Sequence, residues 1–463
     1  MDKLEIYHHL PYPMKVLGAS LHGYYLRWWR YGKDTEKLVE EALERDTWTE
    51  PQWRSWQEER LAYILHRAAT KVPYYRDQWQ KRRASGDKAS WDYLENWPIL
   101  EKETVRQYPE QFINDDKNPH KMYVDHTSGT TGTPLKIYLS RETIHQWYAL
   151  YEARIRKWHG VSIQEPWLIL GGQLVTPSNQ DKPPYWVRNL ALNQLYLSSI
   201  HIKNENISDY VHEINKFAPT HWIVYPSSAA SLASFVLEKQ LKVIPPKVIF
   251  TNAEPLLDYQ RKIMEQAFQC PIRETYGMAE IAAAASECEC GNLHLFPDVG
   301  ILENLDFKTN LPVVEGQLGE FVCTGLLNQD MPFIRYRIGD SGKVSNQKQC
   351  KCGREMPILT QIEGRTDDMI ITPDGKRIGR MDPIFKADIN IKESQIIQEA
   401  LDFIRVKVVP TDSFNNEDVQ VIIQRVHHRL GESMRIEVEL VDEIPRTKAG
   451  KFKAVISNLK QEK

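Results

Sequence analysis

The ten residues TSGTTGTPLK, Thr127 to Lys136, bring five hydroxyls and two glycines to one bend. Glycine lets backbone amides approach a ligand closely and hydroxyls add donors, so the stretch suits an anion with several oxygens, most plausibly phosphate. An ordinary turn has the same make-up, because these residues also collect where the backbone bends for conformational reasons. The Gly-x-x-x-x-Gly-Lys-Ser/Thr loop is not met: Pro134 stands five positions after Gly129, and Thr133 rather than lysine follows Gly132. A Walker-type kinase or ATPase is thereby disfavoured.

Other segments carry chemistry of compatible kinds. NAEPL, Asn252 to Leu256, follows the apolar run KVIF, where a ligand would sit beyond a strand's carboxyl end. ETYGMAE offers a flat aromatic at Tyr276, a permissive Gly277 and a carboxylate at Glu280; FIRYRIGD ends in Asp340; EGRTDDMI supplies Arg365, Asp367 and Asp368; IPRTKAGKFK brings Lys451 and Lys453. Four of six cysteines form two close pairs, Cys288 with Cys290 and Cys350 with Cys352, each followed by glycine. Two such halves can hold one structural zinc through four thiolates; His294 in place of one cysteine, or plain buried thiols, are the competing readings. Cys270 and Cys323 read as packed apolar residues.

The elements that must position these groups follow from pattern. At 463 residues the chain exceeds what one core supports, so at least two domains are expected. Residues from about 10 to 103 read as tryptophan-rich helices. Met14, Leu17, Leu21, Tyr24 and Trp28 form one stripe, with Lys15, Arg27 and Arg30 nearby. Core packing is the commoner use of such a stripe; peripheral membrane contact through residues 10–32 is the alternative. From 123 to about 361, runs such as PWLILGG, THWIVYP and KVIFTNAE alternate with helical segments, as in an α/β fold with buried strands. The last hundred residues read as a small α+β domain: an Asp-Gly hairpin in DMIITPDGKRI, a strand in RVKVV, a helix through Val419, Ile422, Ile423, Val426 and Leu430, then RIEVELV. The expected division is a helical segment 1–104 packed on an α/β domain 105–363, and an α+β domain 364–463. A formal charge of -3 gives no reason to expect nucleic acid. No apolar run reaches the roughly 18 to 20 residues of a membrane span and the N-terminus lacks signal-peptide regions, so a cytoplasmic protein is expected.

Taken in order, these segments resemble the adenylate-forming superfamily of acyl-CoA synthetases, peptide-synthetase adenylation domains and luciferases, over about Tyr123 to Lys453. HTSGTTGTPLK, QCKCGRE, GRTDDMI and IPRTKAGKFK are most similar to the phenylacetate-CoA ligase branch, especially the CapK-like proteins of polysaccharide biosynthesis. The resemblance implies a large adenylate-forming domain and a mobile C-terminal lid. It implies ATP- and Mg2+-dependent activation of a carboxylic acid to an acyl-adenylate with pyrophosphate release, then acyl transfer to CoA. A sugar, an amine or a carrier-protein thiol is the alternative acceptor, and a nucleotide-binding scaffold without turnover is the non-enzymatic alternative.

Residue by residue, the resemblance implies that Thr127, Ser128, Gly129, Thr130, Thr131 and Gly132 cradle the β- and γ-phosphates. Glu280 would coordinate Mg2+, a hard cation that takes oxygen ligands; otherwise it is a buried carboxylate at a helix start. Ala253, Glu254 and Pro255 would form part of the adenine wall beside Tyr276 and Gly277, and Asp340 would hold the ribose hydroxyls. Arg365 would contact ribose or phosphate, Asp367 would be the hinge, and Lys451 would stabilise charge at the α-phosphate. Gly375 and Gly379 follow the hinge in a layout unlike that of CoA-using relatives. Val224 to Leu232, Ile169 to Gln173 and Tyr196 to Ile202 are the expected walls of a pocket for a small aryl or short aliphatic acid, or else core of the large domain. A monomer or homodimer is expected.

Overall fold

A computed structural model describes residues 3–127, 134–177, 179–345, 350–365, 369–374, 377–378, 381, 384–385, 389–447 and 452–459. The helical segment comprises α1 (Lys3–His8), α2 (Tyr12–Arg30), α3 (Thr35–Arg45), α4 (Glu50–Lys71), α5 (Pro73–Ala84) and α6 (Lys102–Gln107). Local chemistry sets its boundaries. At α4 the Thr49 amide donates to Gln52 Oε1 at 2.9 Å, a capping box with Pro51 in the first turn, where its missing N–H costs nothing.

A hairpin, β1 (Tyr123–His126) and β2 (Lys136–Leu139), leads into α7 (Arg141–Tyr151). The strands of the main sheet are β3 (Trp167–Gly171), β4 (Trp186–Asn189), β5 (Gln194–Ser198), β6 (His221–Val224), β7 (Val248–Thr251), β8 (Ile272–Gly277), β9 (Ala284–Glu287), β10 (Leu293–Leu295), β11 (Gly300–Leu305), β12 (Gly319–Gly325), β13 (Tyr336–Ser345) and β14 (Ile358–Arg365). They lie in the order β11-β12-β13-β14-β10-β9-β8-β7-β6-β3-β5-β4. The run β5, β3, β6, β7, β8 is parallel, and everything beyond β8 is antiparallel. β6 and β7 are buried at every position because they are covered on both faces. Trp222 and Val224 point toward α8 (Ile207–Phe217), α9 (Pro226–Glu238) and α10 (Asp258–Phe268), whereas Ile223 joins Ile155, Val248 and Phe250 on the other face.

A buried ionic knot ties the helical segment to this sheet. Arg154 donates to Asp46 at 2.8 Å and to both oxygens of Asp298 at 2.5 and 2.9 Å, and Arg45 also reaches Asp298 at 3.1 Å.

The C-terminal part has its own core, built on β15 (Ile370–Ile371), β16 (Arg377–Ile378), β17 (Ile391–Ala400), β18 (Phe403–Pro410), α11 (Asn416–Leu430), β19 (Arg435–Leu440) and β20 (Val455–Ser457). Ile370 pairs with Ile378, antiparallel as the Asp-Gly hairpin reading expects, with Gly375 itself outside the described residues. The four-stranded sheet runs β19-β18-β17-β20. Asn415 and Asp418 cap α11, and Ile422, Val426 and Leu430 make its buried stripe, as their spacing requires.

One expectation fails. The α2 stripe is not core: Met14, Leu17, Leu21, Tyr24 and Trp28 are 46 to 61% exposed, while Lys15, Ser20, Gly23 and Trp29 face the protein. The contact surface demands small residues there. A Cβ on Gly23 would lie 2.2 Å from Asn189 Oδ1, and Ser20 accepts the Leu190 amide at 3.0 Å.

Candidate functional site

The site is built at the carboxyl ends of the parallel strands, where β8 changes the sheet from parallel to antiparallel. Register places Leu197, Leu170, Val224, Thr251 and Glu274 in one row, so the segments that follow them emerge side by side. Tyr276, at the end of β8, donates its hydroxyl to Asp340 Oδ2 at 2.9 Å. Across the β13–β14 ladder Asp340 faces Arg365, whose Nη1 lies 3.6 Å from Oδ1. Gly339 makes this approach feasible: its φ is +81°, and a Cβ there would sit 3.1 Å from the Arg365 guanidinium. Burial raises the Asp340 carboxyl above its ordinary range, opposed by Arg365 and by the Tyr276 hydroxyl. Pro255 approaches Gly364, with 3.9 Å between its Cγ and a Cβ built there, which brings the NAEP turn to the same place. Over Gly277 such a Cβ meets nothing within 4 Å, so the strand end opens on space.

Glu280 is buried, and its Oε1 accepts from both Tyr336 Oη and Lys102 Nζ at 3.0 Å. Lys102 was absent from the sequence-based set. It arrives because the segment before α6 pairs with β13: the Leu100 amide donates to Arg335 O at 2.8 Å and the Arg337 amide to Leu100 O at 3.0 Å. The one available signal was the apolar WPIL ahead of it, too short to announce a sheet contact.

Ala253 holds φ at +65°, an unusual conformation for a residue with a Cβ, and so turns the chain sharply after β7. The Glu254 carboxylate is engaged by two other segments of the chain. It accepts from the Ser227 amide at 3.0 Å and the Ser227 hydroxyl at 3.1 Å at the start of α9, and from the Phe452 amide at 2.6 Å. Burial raises its pKa, opposed by the Phe452 and Ser227 hydrogen bonds.

Thr127 closes the neck of the β1–β2 hairpin. Its amide donates to Leu135 O at 3.1 Å and its hydroxyl accepts the Leu135 amide at 3.0 Å. Ser128, Gly129, Thr130, Thr131, Gly132, Asp367 and Lys451 lie outside the described residues.

The three expected acyl-pocket segments are neighbours. The Gln173 amide donates to Tyr196 Oη at 3.1 Å, and Gly171 admits that hydroxyl, which lies 3.1 Å from where its Cβ would stand. Tyr225 bonds to the Gly172 backbone. A small cavity lies between Leu26, Trp29 and Arg30 of α2, Tyr148 of α7, and Met278 and Ala279 beside Tyr276. A larger polar cleft runs along β14 and the start of α10 and shares only Pro255 with the nucleotide-wall residues.

Cys288, His294, Cys350 and Cys352 offer ligand atoms all within 4.8 Å of one another. Cys288 and Cys350 sulfurs are 3.8 Å apart, and Cys352 Sγ lies 3.4 Å from His294 Nε2. Both cysteine turns are knuckles with glycine at positive φ: the Gly291 amide donates to Cys288 O at 3.0 Å and that of Gly353 to Cys350 O at 2.9 Å. Cys290 is exposed and is not one of this group, so His294 stands where the four-thiolate reading put Cys290. His294 Nδ1 lies 3.3 Å from Met356 O, a contact that orients the ring and leaves Nε2 toward the cysteines. Burial lowers the His294 pKa, favouring the neutral imidazole a metal needs, and pushes the Cys288 thiol up to about 12 where no cation is present. Three sulfurs and one imidazole fit a tetrahedral zinc. Cys270 and Cys323 are buried, as expected.

Comparison with known proteins agrees with this architecture. The CapK C-terminal domain family model matches residues 370–458. The chain is 27% identical over 460 residues to Protein CapK of Staphylococcus aureus, covering 98% of this chain and 99% of that one. It is 26% identical over 333 residues to a phenylacetate-coenzyme A ligase of Pseudomonas putida, covering 69% and 72% of the two chains. A crystal structure of 2-hydroxyisobutyryl-CoA ligase in the postadenylation state matches with a TM-score of 0.65 at 22% identity, over 90% of this chain and 92% of that one. The resemblance to the adenylate-forming superfamily, its phenylacetate-CoA ligase branch and the CapK-like proteins is borne out, and the fold is that of adenylate-forming CoA ligases.

Proposed function

We propose that this chain, built on the adenylate-forming ligase fold, activates a small aryl or short aliphatic carboxylic acid with ATP and passes the acyl group to CoA. One observation carries the reading: Pro255, Tyr276, Asp340 and Arg365, scattered over more than a hundred residues of sequence, meet at the carboxyl edge of the parallel strands, with Glu280 four residues beyond Tyr276. In this reading Tyr276 and the 253–255 turn border the base. Asp340, oriented by the Tyr276 hydroxyl and Arg365, accepts the ribose hydroxyls. The glycine- and hydroxyl-rich sequence between β1 and β2 receives the outer phosphates.

Glu280 supplies the carboxylate that would hold Mg2+, which neutralises phosphate charge when bound; one or two carboxylates with phosphate oxygens and water suffice for that ion. Lys102 and Tyr336 fix the Glu280 carboxylate through one of its oxygens. The acid lies against Gly171 and the flat rings of Tyr196 and Tyr225, which suit a modest aryl or alkyl group. Its carboxylate attacks the α-phosphorus, pyrophosphate leaves, and Lys451 meets the negative charge that develops. Cys288, His294, Cys350 and Cys352 hold a structural zinc, with no ligand position left for substrate.

Hydroxylamine trapping of acyl-adenylates across a carboxylic-acid library tests this reading, with the native chain compared to Lys451→Ala. The substitution should abolish trapping while ATP affinity stays within about tenfold, as loss of a transition-state contact requires. Equal trapping by both proteins refutes the role of Lys451. ATP binding without pyrophosphate release for any acid supports a non-catalytic scaffold instead.

A further inference from the structure

Helix α2 is amphipathic in the wrong sense for a helix that merely packs on its own domain. The face toward β4 and α7 carries Lys15, Ser20 and Gly23 along with Trp29, while Met14, Leu17, Leu21, Tyr24, Tyr25 and Trp28 stand outside at 46 to 61% exposure. Leu190, in the turn that α2 packs against, extends this surface at 70% exposure. An apolar surface of this extent marks a partner rather than ordinary surface variation.

The charges point to the kind of partner. Between Pro11 and Lys33 there is no carboxylate, in a protein with 62 acidic residues; of the basic residues there His22, Arg27 and Lys33 are exposed, while Lys15 and Arg30 face inward. Arg141 of α7 adds a cation at the outer edge, its guanidinium 4.2 Å from the centre of the Trp28 ring and its Nε donating to Trp28 O at 3.1 Å. Tyr and Trp at the boundary, aliphatic residues between them and the cations Arg27, Lys33 and Arg141 at the edge match the layered chemistry of an anionic lipid surface. A second copy fits less well, because a two-fold contact would set this cationic face against itself. None of the described helices is long and apolar enough to cross a membrane.

We propose that the outer face of α2 binds an anionic membrane surface, with Leu17 and Leu21 entering the acyl boundary and Tyr24, Tyr25 and Trp28 at the headgroup level. The inner face of the same helix lines the cavity that reaches Met278 and Ala279, so such binding would set the lipid surface one helix away from the candidate active site.

Sedimentation with vesicles of phosphatidylcholine alone, or with about 30% phosphatidylglycerol, tests this on the full chain. Because Leu17 and Leu21 are exposed, Leu17→Ser with Leu21→Ser should leave thermal stability unchanged. The native chain should partition to the phosphatidylglycerol vesicles at least tenfold more strongly than this double variant, and raised salt should weaken its binding. Three results would each overturn the proposal: no sedimentation with either vesicle, equal sedimentation of native and double-variant chains, or a native dimer that the double variant converts to monomer.

Discussion

Replacing Glu254 with alanine removes the acceptor for three donors at once, and only one of them comes from the C-terminal part of the chain. The Phe452 amide, the residue after Lys451, reaches Glu254 at 2.6 Å; the other two belong to Ser227. A hydrogen bond to a charged group contributes about 1.5 to 3 kcal/mol, which corresponds to roughly a 10- to 100-fold change in how often the Phe452 amide is held at Glu254. Adenylate formation should slow by that factor, while the ATP KM moves by less than about threefold. Losing the α9 cap should lower overall stability by about 1 kcal/mol. Ser227→Ala separates the two effects: it disturbs the cap, keeps the Phe452 bond, and should slow trapping by less than about threefold. The decisive measurement is single-turnover hydroxylamine trapping at saturating ATP.

Because burial raises the Glu254 pKa above its ordinary range, acidification protonates this carboxylate before exposed ones and sets an O–H among donors. The native rate should therefore fall on the acid side, and the slower rate of Glu254→Ala should lack that component. A folded variant with an unchanged rate would refute the positioning role. A KM that rises as far as kcat falls would return Glu254 to the nucleotide wall.

Purified protein should contain about one zinc per chain; Cys290→Ser should retain it, and His294→Ala with Cys352→Ser should hold less than about a tenth, by elemental analysis. Retention in the double variant, or loss in Cys290→Ser, would reverse the ligand assignment. Arg154→Met leaves Asp46 and Asp298 buried without their common partner, and urea unfolding should show a loss of about 3 to 5 kcal/mol. A loss under about 1 kcal/mol would show that the knot is not needed for docking the helical segment.

Part of the site was legible: the NAEP segment was expected beyond a strand's carboxyl end, Tyr276, Asp340 and Arg365 were implied by the resemblance of their segments, and in the structure Tyr276, Asp340 and Arg365 meet with Pro255 close by. Residue order did not reveal that the Glu254 carboxylate is held by the start of α9, whose Ser227 lies 27 residues away in sequence. Lys102 could not be found, since its placement depends on a pairing between Leu100 and Tyr336 that no local pattern announces. His294 rather than Cys290 joins the cluster although both cysteine turns carry glycine at nearly the same positive φ; the antiparallel pairing of β10 with β14, which sets His294 opposite Ile358, brings it there, and no local spacing announces that pairing. The periodicity of α2 established that one face is apolar but not which way it looks. Small residues opposite Asn189 decide that, through a close approach available only once both elements are folded.

The sulfur–imidazole cluster joins chain segments 62 residues apart at Cys288 and Cys350, and the span between them holds β11, β12 and β13 with Asp340. A cation held there would act as a clamp on a long excursion of the chain, restricting the unfolded ensemble as a cross-link does. Chelation should therefore be felt first as a loosening of the ribose end of the cleft, so that nucleotide affinity would report on a metal that never touches nucleotide.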